Sequence, residues 1–220
     1  MFIQIGKAGK VMQNIVITIA RQYGSGGRLI GKMLSEELGI PYYDRQLLQL
    51  ASDDSGIDEK FFANVDEKVK TSALFRIAKK VYNGESIPPD REDAVSNDKL
   101  FHYQAKIIKE LAEEDSCVII GRCADFVLKD CPNVIRVFIH ADEDKCAARI
   151  GEIRCMSKKD LIKHMSDVDK RRGTYYKYYT GKDWADARNY DLCLDSGKIG
   201  YRGCVEAIKK QIELRFGENK

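Results

Sequence analysis

Glycine, serine and arginine crowd into one short stretch of this chain, Arg21-Gln22-Tyr23-Gly24-Ser25-Gly26-Gly27-Arg28, between an apolar run from Asn14 to Ala20 and an amphipathic stretch ending at Leu38. A glycine-rich turn from a buried strand into a helix lets bare main-chain N–H groups close around phosphate oxygens, and the helix dipole adds positive potential. That geometry suits a nucleotide triphosphate. An ordinary strand-to-helix turn is the plainer alternative, but three glycines and a serine within four residues, closed by a guanidinium, exceed what a turn needs.

The stretch fits the Walker A pattern with three departures. With Gly27-Arg28 in the place of Gly-Lys, arginine supplies the phosphate charge, Leu29 takes the place of the magnesium-binding Ser/Thr, and Gln22 takes that of the first glycine. Gly24, Ser25, Gly26, Gly27, Arg28 and Leu29 are then the donor-binding residues. A literal G-x-x-x-x-G-K also runs from Gly26 to Gly31-Lys32, but it would put Leu29 and Ile30 inside the cradle. Leu29, Ile30, Met33, Leu34 and Leu38 have the spacing of one buried helix face, which places Lys32 on the helix and favours Arg28.

These residues need a scaffold, and the chain can supply one. With 220 residues and 44% hydrophobic content, it can bury a single sizeable core without staples. Thirty-seven basic and 34 acidic side chains leave a formal charge of +3, too balanced to argue for a nucleic-acid surface. Seven cysteines, none in a C-x-x-C pair, indicate neither a zinc site nor a disulfide framework. Without an apolar run of membrane-spanning length or a signal-peptide pattern, the expectation is a cytoplasmic protein, with residues 1–13 as an N-terminal extension.

Short apolar runs alternate with helical patterns: Asn14 to Ala20, Ile40 to Tyr43, Cys117 to Ile120, Val134 to Ala141 and Tyr190 to Leu194. Runs apolar on both faces predict five parallel strands covered by helices. Leu100, Phe101, Gln104, Ile107, Ile108 and Leu111 form one helix stripe, Asp142 is placed to cap a helix through Arg149, and Ser157-x-x-Asp160 resembles a capping box. Val205, Ile208 and Ile212 mark a final helix. Two stretches break the rhythm: helical fragments around Phe61 to Val81 with a polar loop from Gly84 to Asn97, and a basic, tyrosine-rich insertion from Arg149 to Arg188. The second reads as a lid, as a helix end whose tyrosines pack on the core, or as a single-strand-binding surface. Asp44 and Asp195, each at a strand end, read equally as ligands at the carboxyl edge or as caps.

From Asn14 to Ile212 the chain resembles the cytidylate kinase-like family of P-loop kinases. The resemblance rests on Ile17 through Arg28, on Gly39-Ile40-Pro41-Tyr42-Tyr43-Asp44, on Val118-Ile119-Ile120-Gly121-Arg122, and on Asp169-Lys170-Arg171-Arg172 with Tyr175-Tyr176 and Tyr190-Asp191-Leu192. It implies an α/β P-loop NTPase-type three-layer sandwich over 14–220, with an acceptor-binding insertion at about 52–97 and a lid at about 149–188. It also implies ATP and Mg2+, with a nucleoside monophosphate as acceptor. Arg122 would hold the acceptor phosphate, and Arg149, Asp169 and Arg172 would belong to the lid. Arg28, Arg122, Arg149 and Arg172 are thus the catalytic candidates, and Asp44, Arg45, Arg122, Asp125 and Asp169 the acceptor-binding ones. The chain departs from the family pattern at two acceptor positions, which leaves the acceptor base open, and at one position of the lid. Cys123 stands where the family pattern has aspartate, with Asp125 the nearest carboxylate; Arg45-Gln46 replaces a Ser-Gly; and Met165 replaces an arginine. A kinase for another small phosphate or alcohol, and a catalytically silent nucleotide-binding regulator, are the alternatives.

Overall fold

Val16, Ile17, Thr18, Ile19 and Ala20 are all buried, as a strand covered on both faces must be. They form the centre of a computed structural model that describes residues 14–44, 97–154 and 156–217, with the backbone alone at 97–100 and 103. The expectations placed on 1–13, on Arg45, and on the acceptor-binding insertion up to residue 96 lie outside these residues. The strands are β1 (Val16–Arg21), β2 (Tyr42–Tyr43), β3 (Cys117–Ile120), β4 (Val134–His140) and β5 (Leu192–Asp195). They form one five-stranded sheet in the order β2-β3-β1-β4-β5. Every ladder is parallel, with Ile17 level with both Val118 and Ile135. All carboxyl ends therefore meet at one edge, which is where Arg21, Asp44, Arg122 and Asp195 lie.

The helices are α1 (Gly27–Leu38), α2 (Asn97–Glu114), α3 (Ala124–Val127), α4 (Glu143–Gly151), α5 (Lys158–Thr180) and α6 (Ser196–Phe216). Strand residues alternate between two cores. Val16, Cys117 and Ile119 pack with Ile107, Ile108 and Leu111 of α2 and Leu128 after α3, whereas Ile17, Ile19, Val118 and Ile120 pack with Ile30 and Leu34 of α1 and Val205 and Ile208 of α6. This is a three-layer α/β sandwich. Each fully buried aliphatic side chain contributes about 1.5–3 kcal/mol, so the sheet edge is a stiff platform. No helix among the described residues is long and apolar enough to cross a membrane.

Several boundaries differ from the sequence expectation. Arg21 is the last residue of β1, not the first of the loop, and β5 begins at Leu192. Leu29 is 46% exposed and lies off the buried face of α1, which runs through Gly27, Ile30, Gly31 and Leu34. Asp142 occupies the N-cap of α4 without a side-chain cap bond, whereas Ser157 Oγ accepts from Asp160 N at 3.2 Å. The final helix starts at Ser196, nine residues before its apolar stripe at Val205, because the Asp195 carboxylate accepts from Gly197 N at 2.9 Å and Gly200, at φ 71° and ψ 176°, breaks the helix into two segments.

Asp191, just before β5, ties the far side of the sheet. Its carboxylate accepts from Arg136 N (2.7 Å), Nε (3.2 Å) and Nη2 (2.8 Å) and from Arg215 Nη1 (3.4 Å). Burial alone would raise its pKa, but the Arg136 contacts outweigh that and hold it below the usual carboxylate range. Asp191→Ala is expected to cost about 1–3 kcal/mol, discounted for partial solvent screening. The sign of the pH dependence follows: the contribution is full above about pH 4, the unfolded carboxylate value, and is lost as pH falls through the lowered folded value. Thermal unfolding of wild type and variant should therefore converge in acid.

Candidate active site

The loop after β1 is stitched to its neighbours before any side chain is considered. Gln22 N donates to Ile139 O at 3.0 Å, Gln22 Oε1 accepts from Ala141 N at 3.3 Å, and Ser25 Oγ donates back to Gln22 O at 2.9 Å. Gly24 and Gly26 both sit at φ 81°, where a side chain would be strained. A Cβ would also collide at each: with Cys146 Cβ at 2.9 Å from Gly24, and with the Tyr201 ring from Gly26. Gly26, the N-cap of α1, has no side chain to cap the helix, and the first turn carries no acidic residue. The first-turn amides thus face the sheet edge with the positive end of the helix behind them. The arrangement can hold an anion such as a phosphate on main-chain N–H groups.

Guanidiniums converge beside it. Arg28 Nε lies 2.7 Å from Asp44 Oδ2, and Arg21 Nη2 lies 4.0 Å from Asp44 Oδ1, so one carboxylate at the end of β2 holds arginines from β1 and α1. Arg172, on α5, donates to Arg21 O at 2.9 Å and to Asp169 Oδ1 at 3.0 Å. The Asp169 oxygens also accept from Tyr23 N at 2.9 and 3.0 Å, so the long helix is latched onto the loop. Burial raises the Asp169 carboxyl pKa, opposed by Arg172 and the Tyr23 amide; burial lowers that of Arg172, opposed by Asp169.

Arg122 follows β3 through an unusual turn. Gly121, Arg122 and Cys123 take φ 72°, 60° and 54° in succession. A non-glycine residue held there costs about 1–3 kcal/mol and is found mostly where geometry serves a site. The turn buries Cys123 and aims Arg122 along the strand ends, where Tyr175 meets it by a side-chain hydrogen bond and the Asp44 charge acts on it. Burial holds its pKa below the usual arginine range, and Tyr175 and Asp44 pull it back up.

Residues 16–198 match the model of the cytidylate kinase-like family. The chain belongs to the cytidylate kinase-like family. A protein named cytidylate kinase from Archaeoglobus fulgidus is 26% identical over 208 residues, spanning 90% of this chain and 95% of its own. A solved structure of an uncharacterized protein from Eubacterium ventriosum is 29% identical and superposes with a TM-score of 0.67, over 91% of this chain and 99% of its own.

Within this family member the remaining sequence candidates separate. Arg28, Arg122, Arg172, Asp44 and Asp169 are brought together. Arg149 is not: its Nη1 and Nη2 donate to Ser196 Oγ (3.1 Å) and Ser196 O (2.9 Å), Nη1 reaches Ser25 O at 3.3 Å, and its guanidinium lies 4.6 Å from the Tyr201 ring centre. It braces the cradle from the β4–β5 side. Asp125 is buried on α3 and accepts from Tyr176 Oη at 2.6 Å, with its pKa raised by burial and lowered by that bond. Asp195 caps α6. Arg45 lies outside the described residues.

A Cβ at Gly24, Gly26 or Gly27 would run into Cys146, the Tyr201 ring or the Arg21 side chain, so glycine is what lets the loop pack this tightly and keep its first-turn amides bare, a fit for the phosphates of ATP. Magnesium finds no comparable fit. Leu29 offers no ligand atom, Ser25 is fully buried with its hydroxyl donated to Gln22 O, and no group of three His, Cys, Asp or Glu side chains among the described residues could hold a metal. Three of the four tyrosines of α5 pack inward, with Tyr176 buried, Tyr175 in contact with Arg122 and Tyr179 stacked on Phe101 with centroids 4.1 Å apart, while Tyr178 is exposed.

Sequence reasoning missed two residues. In the sequence Arg21 reads only as the flank of the loop, yet in the fold its side chain is better buried than those of Arg28 and Arg172. Tyr201 was passed over because it follows the Gly200 break and belongs to no apolar stripe. A charge at the end of a run that is otherwise apolar except for Thr18 is the available signal for Arg21.

Proposed function

We propose that this chain is an ATP-dependent phosphotransferase that moves a phosphoryl group to a nucleoside monophosphate, with cytidylate the first acceptor to test. The observation that carries the reading is the meeting, at one sheet edge, of an uncapped glycine cradle with arginines from four different segments: β1, α1, the turn after β3, and α5. Family membership and the archaeal relative's name support the same class.

A phosphate acceptor is already ionised at neutral pH, so its oxygen can attack without a general base. Rate then comes from alignment and charge neutralisation. In this reading the cradle amides hold the donor, and Arg28 leaves Asp44 for the donor phosphates, exchanging one anion for another. Arg122 grips the acceptor phosphate with its planar fork. Arg172 enters with α5 as the lid, where exclusion of water strengthens each contact. Magnesium, when bound through donor oxygens and water, would supply further neutralisation of the polyphosphate.

Coupled ADP-release assays across nucleoside monophosphates and small alcohols test this. Monophosphate-dependent turnover is expected, with most of it lost in Arg28→Ala and kept in Lys32→Ala, whose side chain is exposed and faces Glu36 on the helix. Turnover with alcohols alone would point to the second kinase reading. Tight ATP binding without any acceptor-dependent turnover would point to the silent regulator.

A further inference from the structure

Arg21 is the one member of the arginine group whose surroundings do not account for it. Its side chain is 15% exposed, and its Nε is buried without a hydrogen-bond partner among the described residues. Its Nη2 faces Asp44 Oδ1 at 4.0 Å, and the other oxygen of that carboxylate is held by Arg28 Nε at 2.7 Å. Three further guanidiniums, of Arg172, Arg28 and Arg122, act on Arg21 repulsively. Burial first, and those like charges next, with Asp44 opposing, push its pKa down to about 10. Among the described residues, four guanidiniums thus face two carboxylates, Asp44 and Asp169, leaving two positive charges unbalanced. A buried donor without a partner inside an excess of positive charge is explained by an anion that completes it.

The direction of the side chain says which anion. Arg21 Nη1 occupies the space a Cβ on Gly121 would need, and Nη2 faces Asp44, so the guanidinium points along the ends of β3 and β2. Tyr201, Arg149 and Ser196 flank the cradle on the opposite, β4–β5 side. A doubly charged phosphate matches both the charge excess and the number of inward donors.

We propose that Arg21 is an additional phosphate-binding residue, completing with Arg122 and Arg172 a dianion site on the β2–β3 side that takes the acceptor's phosphate and so restricts acceptors to molecules already phosphorylated. This rests on the phosphotransferase reading for its biological sense, but the anion site can be tested without turnover.

The experiment is calorimetric titration of the full chain with CMP, cytidine and inorganic phosphate at fixed ionic strength, and separately with ATP, for wild type, Arg21→Gln and Arg21→Lys. Wild type should bind CMP and, more weakly, inorganic phosphate, and should not bind cytidine. Arg21→Gln should weaken CMP and phosphate by about tenfold or more, the loss expected for a desolvated charged donor, while ATP affinity stays within about twofold, within the scatter of independent sites. Arg21→Lys, retaining charge without the fork, should fall between. Because like charges crowd Arg21, the ligand-free melting midpoint of Arg21→Gln should not drop, whereas a merely structural arginine would lower it. CMP affinity unchanged in Arg21→Gln, or ATP affinity lost in parallel, would overturn the proposal even if monophosphate turnover is observed. Phosphate binding lost in Arg21→Gln without turnover in the wild type would uphold the anion site and overturn the kinase reading instead.

Discussion

Arg122→Ala should lower acceptor-dependent ADP release by about 10²- to 10³-fold at saturating ATP, the range for removing one preorganised donor to transition-state charge. The loss should fall on kcat together with acceptor affinity, since the same fork would hold the acceptor phosphate before and during transfer. Stability should respond differently. Alanine keeps a Cβ at φ 60°, so the strain of the turn persists, while a cation whose pKa burial depresses is gone. The melting midpoint of Arg122→Ala should therefore stay near wild type. Arg122→Gly should melt higher than Arg122→Ala, because glycine relieves a left-handed residue of about 1–2 kcal/mol. Steady-state kinetics paired with thermal melts separate the two effects, and a variant that melts early but turns over normally would remove Arg122 from the site.

Gly26→Ala is expected to act on the donor side and to be the most damaging single methyl in the loop. The new Cβ meets the Tyr201 ring, and that ring cannot retreat freely because the Arg149 guanidinium lies over it and Arg149 is held by Ser196 and Ser25. The residue also stays at φ 81° as the N-cap of α1, a conformation costing about 1–2 kcal/mol for any residue with a side chain. The ATP-dependent rise in melting midpoint should disappear. In the double variant Gly26→Ala, Tyr201→Ala, the collision is removed but the backbone cost remains, so stability should recover only in part. Full recovery would assign the whole effect to the ring contact and leave the loop conformation without a role.

The three inner strands of the sheet were legible because they are buried on both sides. Runs such as Val16 to Ala20 and Cys117 to Ile120 have no polar face to confuse with a helix, and their lengths exclude one. The glycine loop was legible for a related reason: only tight backbone turns need Gly24, Gly26 and Gly27 together. Local patterns could not say where a side chain goes once the chain has turned. Arg149 and Arg172 both fall on helices after β4 and look alike as text. One braces Ser25 and Ser196 while the other reaches Arg21 O, because α4 and α5 approach the loop from different sides. Asp125 and Asp44 likewise both follow strands, yet Asp125 turns into the core toward Tyr176 and Asp44 stays at the edge with two arginines. The successive left-handed residues at Gly121, Arg122 and Cys123 had no local signal beyond the glycine, since arginine and cysteine adopt that conformation only under tertiary constraint.

In the proposed function, main-chain amides at the start of α1 hold a donor's polyphosphate. Amide NMR of the 15N-labelled full chain, titrated with ATP and Mg2+, tests it most directly. The amide protons of Gly27, Arg28 and Leu29 should move downfield and saturate together, as hydrogen bonds to phosphate oxygens form. Those three signals holding still while ATP saturates a site elsewhere on the chain would contradict the account.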